Sequence, residues 1–224
     1  MVRCARESGI TLIEATIVLM VIAILAAAAA PVTARALDRA RLARAVTDLQ
    51  ALKVAMTNFF APTDLSVYTG FTNNGLAAGT TITMLVGDGD APTENSLGGD
   101  DNGALAGAVM RWDDPVSAGA PIIDYFERHL VLNTPIGGGA YPTAGAGTTW
   151  RGTYINAPVD PDPWGNRYMA NTKWLRDAPL TTDTFLLSVG PDEQIDTLFQ
   201  KNGITPGDDD LIVVFRRDAT GTTP

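Results

Sequence analysis

The stretch that decides the architecture is GITLIEATIVLMVIAILAAAAAPV, Gly9–Val32. The 23 residues from Ile10 to Val32 carry a single charge, Glu14. A helix needs about 20 such residues to cross the hydrocarbon core of a bilayer, so the run predicts a membrane-spanning helix. A carboxylate at mid-helix costs roughly 3 kcal/mol on insertion scales, and less near the end, where it reaches the interface. The question is what keeps the acid there.

Three readings compete. In a cleaved secretory signal, Arg3 and Arg6 form the basic region and Ala34–Ala36 the cleavage site. Such a signal, however, has an uncharged apolar core of about 7–15 residues. In an ordinary single-span anchor the length fits and Glu14 is an accident tolerated near the helix end. In a processed chain, cleavage between Gly9 and Ile10 leaves an α-amine on Ile10, and Glu14 lies one helical turn along on the same face. Amine and carboxylate attract strongly in a low-dielectric setting. If the amine belongs to a neighbouring copy, the pair also fixes the axial register of packed helices, the best-attested use of a buried polar pair.

A short basic leader ending in Gly9, then an unbroken apolar run with Glu14 in its first turns and Pro31 near its end, resembles the prepilin-type signal of type IV pilins and type II secretion pseudopilins. Ile10 departs from the Phe that usually follows the cut in that family. The resemblance implies removal of residues 1–9 by a prepilin peptidase, N-methylation of Ile10, assembly through Glu14, and a helix bend at Pro31. It also implies a bacterial inner-membrane protein with a periplasmic C-terminal domain. Such a chain assembles on an inner-membrane platform into a homo-oligomeric filament, alongside other pseudopilins or pilins.

Beyond Pro31 the pattern turns periodic. Leu42, Val46, Leu49, Leu52, Met56 and Phe59 recur at helical spacing and predict an amphipathic continuation over residues 33–61, ended by Pro62. The whole helix is then roughly 75 Å long. Arg35, Arg39, Arg41 and Arg44 crowd just past the apolar run. They read either as a solvated face beside lipid headgroups or as contacts to acidic surfaces of neighbouring subunits.

The remainder reads as short strands. Thr80–Gly87, Thr184–Gly190 and Leu211–Arg217 are β-rich runs bounded by turn signals, Gly87–Gly103 is an exposed loop, and Ile122–Leu132 reads as a short helix carrying the only histidine, His129. His129 has no nucleophile near it in sequence and reads as a partly buried helix residue. The fold class is therefore α+β: a long N-terminal helix, membrane-spanning in its first half, packed on a small antiparallel sheet. Residues 62–160 read as a variable insertion and 161–224 as the C-terminal sheet region.

Two C-terminal segments, DPWGNRY (Asp162–Tyr168) and LLSVGPDEQID (Leu186–Asp196), resemble the major pseudopilin of type II secretion, with Trp164 placed to anchor the turn. That family carries calcium in the loop after the second segment, and Asp192 matches its position. The chemistry of the residues allows the same ion. Ca²⁺ takes six to eight oxygens from a flexible loop, and Asp196, Asp208, Asp209 and Asp210 join Asp192 if the flanking strands are neighbours. The plainer reading is that these are solvated loop acids. Gly87–Asp90 (GDGD) is a weaker candidate.

Composition narrows the function. Residues 1–60 carry seven Lys/Arg against four Asp/Glu, and the rest nine against twenty-one. An acidic ectodomain repels phosphates, so no nucleic-acid partner is expected. Cys4 stands alone, so no intramolecular disulfide forms. That favours the pseudopilin over a disulfide-closed type IV pilin, the second reading. A membrane-anchored periplasmic enzyme or binding protein is the rival from another class. One histidine, no cysteine beyond the leader and no nucleophile elbow argue against an enzyme.

Overall fold

The computed structural model describes residues 11–60, 82–94, 122–136, 140–141, 143, 150–172, 184–197 and 206–215. The leader and Gly9–Ile10 lie outside the described residues, as do parts of the region 62–160. The chain forms two compact units, residues 1–41 and 42–224.

One helix, α1 (Leu12–Phe60), runs without a break through Pro31. Pro31 has no N–H to give to the carbonyl one turn back, which is the physical basis for the bend expected there. From Leu12 to Ala40 the helix is exposed throughout: Leu12 is 84% and Leu25 64% accessible. The helix is long and apolar enough to cross a membrane.

The second unit begins inside α1 and adds β1 (Ile82–Val86), β2 (Thr93–Glu94), β3 (Ile122–Tyr125), α2 (Phe126–Leu130), β4 (Met169–Asn171), β5 (Thr184–Ser188), β6 (Gln194–Ile195) and β7 (Leu211–Phe215). Five strands form one sheet in the order β3-β1-β4-β5-β7, and β2 pairs with β6. The expected sheet was antiparallel; the observed one is mixed, because β1 runs parallel to β3 and β2 parallel to β6. A parallel return needs a connection of at least a dozen residues, and the long stretch between β1 and β3 supplies it. The region read as an insertion thus contributes two of the five strands. Ile122–Leu132, expected to be one helix, divides into β3 and α2, since β-branched Ile122 and Ile123 join the sheet edge before the helical Phe126–Leu130 turn.

The helix packs on one sheet face through Leu49, Leu52, Ala55, Met56 and Phe59, and Ala45 is buried as well. Leu49, Leu52, Met56 and Phe59 match the periodic stripe, but Leu42 and Val46 are 37% and 43% exposed. The buried face is turned toward Ala45 and Ala55. Strand alternation divides the sheet residues between two clusters. Leu85, Ala170, Leu186, Val213 and Phe215 meet the helix, whereas Met84, Val86, Met169, Phe185 and Leu187 form the other face. Ile82 joins Leu85 on the helix side despite odd spacing, because Thr83 is an extra residue at a bulge: Ile82 pairs with Ile122 and Met84 with Ile123.

Leu49 is fully buried at the centre of this interface. Leu49→Ala is expected to cost about 2–5 kcal/mol, read as a lower denaturation midpoint of the full chain in detergent. A loss below about 1 kcal/mol would mean that the helix does not pack on the sheet.

Candidate functional site

The DPWGNRY segment is a clip rather than a Trp-anchored turn. Asp162 is buried, and its Oδ1 accepts the N–H groups of Trp164 and Asn166 at 3.0 and 2.9 Å. Its Oδ2 accepts the Ser188 hydroxyl of β5 at 2.8 Å. Gly165 has φ +101°, a left-handed turn conformation that favours glycine. Trp164 is only half-buried, whereas Tyr168 is 1% exposed. Tyr168 is therefore the anchor, and its hydroxyl donates to Asp48 of α1 at 3.0 Å. Arg44 pairs with the same carboxylate at 3.4 Å.

Downstream of β5 the structure brings together four of the five candidate aspartates. One carboxylate oxygen from each of Asp192, Asp196, Asp208 and Asp209 lies within 4.8 Å of all the others. Oxygens on opposite sides of a Ca²⁺ bound at 2.3–2.6 Å are about 5 Å apart, so the set is of the right size for that ion. Because β5 pairs with β7, the two acidic loops meet at one end of the sheet. Two glycines permit the approach. Gly190 has φ +72°, and a Cβ there would lie 2.5 Å from the Asp209 carbonyl oxygen. A Cβ on Gly207 would collide with the backbone of Asp196.

Asp210 plays a different part. Its Oδ2 accepts the backbone N–H groups of Asp196 and Thr197 at 3.0 and 2.6 Å, so it shapes the first loop around the acids. Likewise Asp209 Oδ2 accepts the N–H of Asp192 at 3.1 Å.

Burial raises the Asp210 carboxyl to about 6, with the Asp196 charge adding to the effect against the opposing backbone hydrogen bonds. Burial, then the neighbouring Asp192 charge, raises Asp209. The buried Oδ1 atoms of Asp209 and Asp210 have no hydrogen-bond partner among the described residues. Orphaned buried carboxylate oxygens beside further carboxylates are what a hard cation would satisfy. The donor set thus fits Ca²⁺. Asp88 and Asp90 of the GDGD segment are not part of this set.

At the other end of the chain, Thr11 caps α1. Its Oγ1 accepts the Glu14 N–H at 3.3 Å and its carbonyl accepts the Ala15 N–H at 3.1 Å. Thr11-Leu12-Ile13-Glu14 therefore has the spacing of a capping box, a signal legible in the sequence. Glu14 is exposed in the first turn, where a negative charge also suits the helix dipole.

His129 is fully buried rather than partly so. Its Nε2 meets Asp124 Oδ2 at 3.0 Å and its Nδ1 meets the Tyr141 hydroxyl at 2.7 Å. Asp124 Oδ2 also accepts the Ile136 N–H at 2.6 Å, and the Trp150 indole donates to the His129 carbonyl. Burial lowers the His129 pKa against the raising influence of Asp124. The network ties Ile136, Tyr141 and Trp150 to β3 and α2. A cleft of about 280 Å³ beside α1, lined by Arg44, Asp48, Leu52, Ile155, Val159 and Tyr168, does not reach it.

No protein-family model matches the chain, and no curated protein or solved structure matches it either.

Proposed function

We propose that the chain is a structural subunit of a type II secretion pseudopilus. It is inserted in the bacterial inner membrane, cut after Gly9 by a prepilin peptidase, and drawn into a helical filament in which Glu14 meets the α-amine of Ile10 on a neighbouring copy. The observation that carries the reading is α1 itself. Its first unit exposes apolar side chains along its whole length, with one carboxylate in the first turn. A bundle of such helices keeps that surface out of water once the helix leaves the lipid. The acidic loops support the same reading, since Asp192, Asp196, Asp208 and Asp209 offer Ca²⁺ a ready set of oxygens. In that role the ion neutralises the loops and clamps them, and the chain has no catalytic part.

The mass of the mature protein purified from membranes tests the proposal. A chain beginning at Ile10, heavier by one methyl group if N-methylated, is expected. A chain beginning at Met1, or after Ala36, would remove the filament reading.

A further inference from the structure

The three arginines that follow the apolar run point to a lipid partner. We infer that Arg35, Arg39 and Arg41 form a phosphate-binding collar that holds the headgroups of anionic phospholipids around α1. The inference rests on the membrane span, not on filament assembly.

Axial position is the first argument. Leu12–Val32 is about 31 Å of helix, the thickness of the hydrocarbon core. Because α1 is continuous, Arg35 lies about 5 Å beyond Val32, Arg39 about 10 Å and Arg41 about 14 Å. The headgroup region adds roughly 5–8 Å on each side, so Arg35 falls within it and the other two lie just outside. Direction is the second argument. Helical side chains tilt toward the N-terminus, which here is the membrane side, and long arginine stems carry the guanidinium back to the phosphates.

Availability is the third argument. Arg35 and Arg39 are exposed and Arg41 is half-buried, and none has an ion-pair partner among the described residues. Arg44, by contrast, is engaged by Asp48 and by the Pro161 carbonyl. Angular spread then separates lipid from protein. Arg39 and Arg41 point about 160° apart around the axis. A flat acidic surface on another copy meets one of them; a headgroup layer surrounds the helix and meets both. Arginine also suits the chemistry, since its planar fork binds phosphate oxygens in pairs.

The test uses the full chain reconstituted in vesicles of phosphatidylcholine with a minor fraction of phosphatidylglycerol. Spin-labelled lipids report which headgroup the protein recruits. Wild type is expected to favour phosphatidylglycerol by about fivefold or more. The triple variant Arg35→Gln, Arg39→Gln, Arg41→Gln should lose that preference, the triple lysine variant should keep part of it, and Lys53→Gln should change nothing. Resistance to alkaline carbonate extraction checks that each variant remains embedded. An embedded triple variant with the wild-type preference overturns the inference, as does an embedded wild type with none. Loss of the wild-type preference on adding inorganic phosphate would assign the arginines to a soluble anion instead. A triple variant that fails to assemble yet recruits lipid like the wild type would assign them to an acidic surface on another copy. Wild type stripped by carbonate would remove the membrane span, and the collar with it.

Discussion

Glu14→Gln is expected to stop filament assembly while leaving the chain in the membrane. Glutamine is the informative replacement because it separates the two roles open to this residue. It can stand at the third position of a capping box as glutamate does, so the Thr11 cap and the first turn of α1 survive. It cannot neutralise an amine. Removing one partner of a low-dielectric ion pair costs about 3–5 kcal/mol, since the other charge is left uncompensated. At that size each added subunit binds more than a hundredfold more weakly. The measurement is the yield of sheared filaments against the amount of mature protein in the membrane. Normal filaments from the glutamine variant would assign Glu14 to helix capping and dipole compensation alone. Glu14→Ala, which removes the whole polar side chain along with its charge, does not make that distinction.

Removing Ca²⁺ should lower the melting temperature of the full chain in detergent, and the effect should depend on pH in a defined direction. The folded-state carboxyls of Asp209 and Asp210 lie above their unfolded values, Asp210 at about 6 against 3.8. Such groups favour folding fully below the unfolded value, and that contribution is lost as pH rises through the folded one. At neutral pH the ion-free protein therefore bears the cost of burying these charges, with the Asp192 and Asp196 charges adding to it. A cation that meets these oxygens relieves it, and protons compete with the cation as pH falls. At a hundredfold excess over Kd the ion contributes about 2.7 kcal/mol, or roughly 5–10 °C for a domain of this size. Addition of a chelator should produce that drop at pH 7.5 and a smaller one at pH 5. Asp192→Asn with Asp196→Asn should abolish the calcium response while raising the stability of the ion-free protein. An equal melting temperature with calcium and with chelator at pH 7.5 would leave the aspartates as solvated loop acids.

Much of this was legible in the residues. The apolar run and the stripe from Leu49 to Phe59 gave α1, because periodicity and length are strong local signals. The strands at Thr80–Gly87, Thr184–Gly190 and Leu211–Arg217 were visible for the same reason. Their pairing was not, since direction and order depend on contacts between distant segments. The parallel β1–β3 pair was therefore missed. Ile122–Leu132 misled because a short apolar run fits helix and strand alike. Ala45 and Ala55 lie outside that stripe because large side chains dominate hydrophobic periodicity, although both are buried. At the site, the aspartates could be nominated by residue type. Only the β5–β7 register and the two glycines separate Asp210, which braces the backbone, from the four that converge.

The extra residue in β1 carries a consequence for length variation. Ile82 and Leu85 share the helix-facing side only because Thr83 bulges out of register. A chain lacking Thr83 would place the two residues at ordinary alternate positions on that same side, so the strand tolerates this deletion. A single-residue deletion within Thr184–Ser188, where every residue is buried, would turn part of this interior strand inside out. Relatives of this chain should differ in length at the first place and be uniform at the second.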